Sequence, residues 1–243
     1  MAPKGTIAIE EAVLDPRGVG RHARDAALYA PAYGPGQDLS SENHPLTAAL
    51  LDIHKQRLEH MDAHGVEYML LSLTSPGPQG ADSQAEAEEL ARTANDWLAG
   101  EANRNPARFG ALASLSMHDG AQAAAELTRA VKELGMKGAI LNDFQSTGGG
   151  GGGGEGKKYF DTDEYHVFWK TVEELDVPVY MHPRYATGSD LEAGSRWGDR
   201  KHLLGAGVQF HLDLSFHIYA LCSSGIFDLF PKVQVVAGHL GEG

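Results

Sequence analysis

DEYHVFWKTVEELDVPVYMHPR, residues 163–184, is the stretch from which the fold can be read. Its first part, 163–175, is predicted to be a helix, with Phe168, Val172 and Leu175 along one side. The apolar run PVYM at 178–181 then reads as a strand, and His182-Pro183-Arg184 follows it at once. A helix, a short buried strand and a polar tip in that order are the repeating parts of a parallel α/β architecture. In such folds the reactive groups sit at the C-terminal ends of the strands.

The same alternation extends in both directions. Strands are predicted at 6–9 (TIAI), 68–73, 109–115, 138–141 and 233–237, making six with 178–181. Helices are predicted at 47–64, 81–103, 121–134 and 209–223. Residues 15–45 read as irregular and rich in Gly and Pro. Repeated strand–helix units imply right-handed parallel crossovers, hence a barrel or an open doubly wound sheet. Glu10-Glu11-Ala12 stands where a dinucleotide fold would place a glycine-rich turn, which disfavours a Rossmann domain. Six strands fall short of an eight-stranded barrel, and an open barrel leaves the edges of its first and last strands unpaired. The glycine tract 148–154 is followed by Glu155-Gly156-Lys157-Lys158 and not by a Lys-Ser/Thr pair opening a helix. It reads as a flexible loop on the top face and not as a phosphate cradle.

Composition narrows the function. The 243 residues carry 20 Lys+Arg against 33 Asp+Glu, a formal net charge of −13. That balance supplies no cation excess to displace phosphate counterions, so neither nucleic acid nor an anionic membrane is an expected partner. Cys222 is the one cysteine, which excludes an intramolecular disulfide scaffold. It lies in an apolar context, ALCSSG, and is expected to be a packed small residue. Trp97, Trp169 and Trp197 are expected in core or rim packing. The N-terminus lacks the apolar core of a signal peptide, and no apolar run reaches the ~18 residues of a membrane span. A cytoplasmic location is expected.

The strand tips hold the candidate chemistry. They are Glu10 and Glu11 after the first strand, Asn142-Asp143 after the fourth, His182 and Arg184 after the fifth, and His239 followed by Glu242 after the sixth. A divalent cation needs ionised carboxylate and neutral imidazole on rigid supports, a need that Glu10 and His182 meet. The alternatives are a solvated carboxylate or an ion pair with Arg184 for Glu10, and a hydrogen-bonded rim residue for His182. His239 and Glu242 read either as an acid–base pair or as a charged turn. Arg184 reads either as a bidentate clamp on a substrate carboxylate or phenolate, or as a surface ion pair.

Six segments taken together carry a resemblance. They are IAIEEA (7–12), HGVEYMLLSLTSPGPQ (64–79), NPARFGALASLSMHD (105–119), KGAILNDFQ (137–145), LDVPVYMHPR (175–184) and GIFDLFPKVQVVAGHLGEG (225–243). In order and spacing they resemble the metal-dependent, non-oxidative hydroxybenzoate decarboxylases of the amidohydrolase superfamily, nearest the 2,3-dihydroxybenzoate and γ-resorcylate types. The resemblance implies a TIM-like (β/α)8 barrel, with residues 1–243 as a single amidohydrolase-type domain that ends after the sixth strand. It implies one divalent metal ion, Mg²⁺ or Mn²⁺ before Zn²⁺, and no organic cofactor. Glu10 and His182 match metal ligands, and His239 and Glu242 match residues that assist proton transfer. Asn142 matches a position near the substrate, and Arg184 follows the metal histidine as in relatives. Ala12 stands where some members carry a second strand-one ligand, a histidine. A strand-eight aspartate, the family's expected proton donor, has no counterpart before Gly243, so a fragment is expected.

The implied reaction removes CO₂ from an ortho-hydroxybenzoate such as 2,3-dihydroxybenzoate and leaves a phenol. The expected partner is thus a small aromatic carboxylate, and a homo-oligomer is expected for the full-length form. Two rivals stand beside it: a metal-dependent lactone or amide hydrolase of the same superfamily, and an inactive fragment that only binds a partner.

Overall fold

The computed structural model describes residues 5–23, 44–148 and 156–239. In chain order, β1 (Thr6–Val13) is followed by α1 (Pro45–Leu51), α2 (Gln56–His64), β2 (Val66–Leu73) and α3 (Gln84–Asn103). Next come β3 (Phe109–Ala111), β4 (Ala113–Ser114), α4 (Gly120–Lys132), β5 (Ala139–Asn142) and the short strands β6 (Gln145–Ser146) and β7 (Lys157–Lys158). The described chain closes with α5 (His166–Leu175), β8 (Val179–His182), α6 (Gln209–Ser223), α7 (Ile226–Leu229) and β9 (Val235–Ala237).

The parallel ladders run β1-β2-β3 and β4-β5-β8-β9. The hand-over between them is made at Leu112. Its N–H donates to the Leu71 carbonyl at 2.9 Å, and the next N–H, Ala113, donates to Gly138 at 2.8 Å. The third predicted strand is therefore one strand split between two partners, and all six predicted strands are present in sequential order. Among the described residues no ladder joins β9 to β1, so what is seen is six parallel strands and not a closed eight-stranded barrel. The two outer strands nevertheless meet at their C-terminal ends, where His239 hydrogen-bonds to Glu10.

Alternation along the strands makes two apolar layers. Leu71, Ala111, Ala113, Ala139, Leu141, Val179 and Met181 pack outward into the main core with the helices. Leu112, Ile140 and Tyr180 pack inward, flanked by Leu70 and Val236. On α3 the buried face is mostly alanine (Ala87, Ala91, Ala94 and Ala102, with Leu98), which lets the helix lie close to the sheet. Asp119 caps α4 by accepting from the Ala121 and Gln122 amides at 2.8 and 2.9 Å.

Three sequence expectations change. The first strand runs on to Val13 and does not end at Ile9, so Glu10 and Glu11 lie within it. The predicted helix 47–64 is two helices, because the Asp52 carboxylate turns back to accept from the Lys55 amide at 3.1 Å. Cys222 is exposed and not packed, since α6 buries Phe210, Leu214, His217 and Leu221 instead. Trp169 and Trp197 are buried as expected. Of the glycine tract, 149–154 lies outside the described residues. Its flanks pair as the antiparallel strands β6 and β7, and among the described residues no helix opens there. No helix among the described residues is long and apolar enough to cross a membrane.

One core residue makes stability pH-dependent. The Tyr165 hydroxyl is fully buried and donates to the Met117 carbonyl at 2.5 Å. Burial, reinforced by the charges of Glu164 and Asp119, pushes this phenol well above the ordinary tyrosine value. The folded value exceeds the unfolded one, so the stabilisation is present below pH ~10 and is lost as pH rises above it. The urea midpoint is expected to fall between about pH 9 and pH 11, and Tyr165→Phe to flatten that fall.

Candidate metal centre

β1 delivers its carboxylate through a fault in pairing. Ala8 pairs with Met69 and Glu11 with Leu71, so three steps on β1 match two on β2. The extra residue is a β-bulge, which reverses the in–out alternation. Ala8 packs against the outer core, yet Glu10, two residues on, faces the inner side. Glu11 returns outward, where the Arg57 guanidinium donates to it at 3.0 Å and to the Ala12 carbonyl at 2.9 Å. The adjacent carboxylates of the sequence thus have separate tasks.

His182 is the last residue of β8, opposite Asn142 of β5 in register. His239 follows Gly238 at the tip of β9 and has φ of 54°, a left-handed conformation that costs a non-glycine residue roughly 1–2 kcal/mol. Its carbonyl accepts from His211 Nδ1. The Nε2 atoms of both rings converge on one oxygen: Glu10 Oε1 lies 3.2 Å from His182 and 2.9 Å from His239. The two imidazoles meet edge to face, 5.1 Å between centroids. The other oxygen, Oε2, accepts the Tyr180 hydroxyl. Burial opposes ionisation of Glu10, but the hydrogen bonds from His182, His239 and Tyr180 prevail and hold its carboxyl well below the usual range.

One carboxylate oxygen and two imidazole nitrogens, all within 4.8 Å of one another, form a donor set that suits a divalent cation. The set has fewer protein donors than such a cation's full shell, so positions remain for water or substrate.

The other predicted residues fall as follows. Asn142 is buried. Its Nδ2 donates to the Pro76 carbonyl at 3.1 Å, while Oδ1 has no protein partner among the described residues. Arg184 is not a surface ion pair. It is 2% exposed, stacks on Phe144 at 4.0 Å, and donates to the Gln79 and Phe144 carbonyls at 3.1 and 2.8 Å and to Ser146 Oγ at 3.2 Å. Those bonds tie the guanidinium to the loops around it. Glu242 lies outside the described residues, and the His239 ring hydrogen-bonds to Glu10.

Sequence reasoning missed three groups. In the sequence Tyr180 reads only as a strand residue. Gln79 is buried and ties the β2 loop to the end of β5, accepting from the Asn142 amide and donating to the Asn142 carbonyl, both at 2.7 Å. Its own carbonyl also accepts from Gln145 and Arg184. The third group is the pair of Asp143 and His217, 3.1 Å apart and both almost wholly buried. The Phe160 amide donates to His217 Nε2 at 3.2 Å, so the ring proton lies on Nδ1 and is donated to Asp143. His217→Ala strands a buried carboxylate and is expected to lower unfolding free energy by about 3–5 kcal/mol. Asp143→Asn keeps an acceptor oxygen and is expected to cost less; urea unfolding of the two variants checks the order.

A curled set of parallel strands with a carboxylate and two imidazoles at their C-terminal mouth defines an α/β protein with a candidate divalent-cation site. The chain belongs to the amidohydrolase family, whose description, Amidohydrolase, matches residues 43–243. A γ-resorcylate decarboxylase of Polaromonas sp. (strain JS666) is 41% identical over 200 residues, covering 82% of this chain and 59% of that protein. The crystal structure of a 2,6-dihydroxybenzoate decarboxylase complexed with 2,6-dihydroxybenzoate matches with a TM-score of 0.85 and 38% identity, over 98% of this chain and 68% of that one. A dihydroxybenzoic acid decarboxylase from Polaromonas sp. JS666, with bound manganese and the inhibitor 2-nitroresorcinol, matches at 0.84 and 37%, over 98% and 66%. The chain therefore spans about three fifths to two thirds of the length of these relatives.

Proposed function

We propose that the site non-oxidatively decarboxylates a benzoate carrying a hydroxyl beside its carboxylate, giving CO₂ and a phenol. Residues 1–243 would form part of a single amidohydrolase-type barrel domain that carries this activity. The observation that supports the reading is the meeting of Glu10, His182 and His239 on strands from both ends of the chain. The names of the relatives favour the 2,6-dihydroxybenzoate pattern, with 2,3-dihydroxybenzoate as the second candidate.

Glu10 and His182 would hold the cation, because both sit in hydrogen-bonded strands and offer one oxygen and one nitrogen. That pair leans toward Mg²⁺ or Mn²⁺, and the manganese in the Polaromonas structure favours Mn²⁺. When bound, the cation supplies Lewis-acid charge that draws in the substrate carboxylate and phenolic oxygen. Asn142 Oδ1 can accept from a ring hydroxyl. His239, beyond the end of β9, would hold and pass a proton at the Nε2 that hydrogen-bonds to Glu10. A proton is added to the carbon bearing the carboxylate, the bond to that carboxylate breaks, its electron pair returns to the ring, and CO₂ departs. Glu242, three residues beyond His239, would tune that transfer. The working form is proposed to be a cytoplasmic homo-oligomer.

Incubation of the Mn²⁺-loaded protein with 2,6-dihydroxybenzoate in D₂O tests this reading. The expected result is equal amounts of CO₂ and resorcinol, with one deuterium on the carbon that lost the carboxylate. Turnover of lactones or amides, with dihydroxybenzoates untouched, would replace it with the hydrolase reading.

A further inference from the structure

Glu10 does not meet its neighbours symmetrically. Both histidines address Oε1, whereas Oε2 is taken by the Tyr180 hydroxyl. Tyr180 is itself fixed. It is 6% exposed, and its ring lies in the inner apolar layer with Leu112 and Ile140. A Cβ on Gly238 would stand 2.7 Å from its Cε1 and 2.8 Å from its hydroxyl, so only glycine fits at the tip of β9.

We propose that Tyr180 is a positioning residue. By occupying Oε2 it turns Oε1 toward His182 and leaves Oε1 as the oxygen that Glu10 would offer to a cation. The inference rests on the reading of Glu10 and His182 as the cation's ligands. A carboxylate left free to rotate would lose this pre-set orientation and would need to be ordered on binding, and outer partners of this kind typically control affinity by ~10–100-fold.

The test is Mn²⁺ titration of the unsubstituted protein and of Tyr180→Phe, with free Mn²⁺ followed by electron paramagnetic resonance and no substrate present. Tyr180→Phe keeps the ring against Gly238 and removes only the hydroxyl. It is expected to bind Mn²⁺ ~10–100-fold more weakly, with metal-free thermal unfolding unchanged. Gly238→Ala, which crowds the ring from the other side, is expected to weaken binding in the same direction without altering any ligand. Equal Mn²⁺ affinity in Tyr180→Phe and the unsubstituted protein would overturn the proposal and leave the metal site standing. Weaker binding that tracks a loss of metal-free stability in both variants would overturn it in favour of a purely structural tyrosine. Failure of the unsubstituted protein to bind Mn²⁺ would overturn the site reading and this proposal with it.

Discussion

His239→Asn is expected to lower decarboxylation of 2,6-dihydroxybenzoate by about 10²–10⁴-fold, the usual worth of a positioned acid–base group, while Mn²⁺ stays bound. The split follows from the geometry. The His239 ring hydrogen-bonds to Glu10 from a left-handed turn beyond the end of β9, whereas Glu10 and His182 belong to the strand ladders themselves. Asparagine tolerates the left-handed backbone better than most residues, so the substitution removes the imidazole without adding strain. The checking measurement is turnover beside metal content. Loss of both together would make His239 a ligand; loss of neither would remove it from the mechanism.

Glu10→Gln is expected to weaken Mn²⁺ binding by more than ~100-fold, beyond the range of an outer partner, and to lower turnover with it. The substitution keeps the length of the side chain and an oxygen that can still accept from Tyr180. It removes the one negative charge at the meeting point of two imidazoles and a phenol. The hydrogen bonds hold the wild-type carboxyl below its unfolded value, so its ionised form contributes stability above pH ~4.5 that is lost as pH falls below it. Between pH 6 and 8 the carboxylate therefore stays charged, and any change in Mn²⁺ binding over that range belongs to other groups. Calorimetric titration of Mn²⁺ into both proteins at pH 7 checks the prediction.

Much of this arrangement was legible along the chain. Six apolar runs bounded by turn residues sufficed for the parallel strands, and Glu10, His182 and His239 stood out because a Glu or His followed the apolar run. What could not be read depends on pairing between distant segments. The bulge that turns Glu10 inward exists only in the register of β1 against β2. Tyr180 became visible only once β8 lay across from β1, 170 residues away in sequence. The break at Asp52 was hidden because the apolar spacing of 47–64 continues through it, while a single side chain bonded to the backbone ends the helix. The burial of Arg184 among carbonyls was hidden because sequence alone does not show which groups surround a guanidinium. Asp143 and His217 are joined by the fold-back of α6 over 74 residues.

The most direct test of the central claim, that Glu10 and His182 hold the cation beside a separate His239, is electron spin echo envelope modulation of the Mn²⁺-loaded protein. The technique detects imidazole nitrogen bound directly to manganese. The account predicts ¹⁴N modulation in the unsubstituted protein and in His239→Asn, and none in His182→Ala. Modulation that persists in His182→Ala, or vanishes in His239→Asn, would contradict it.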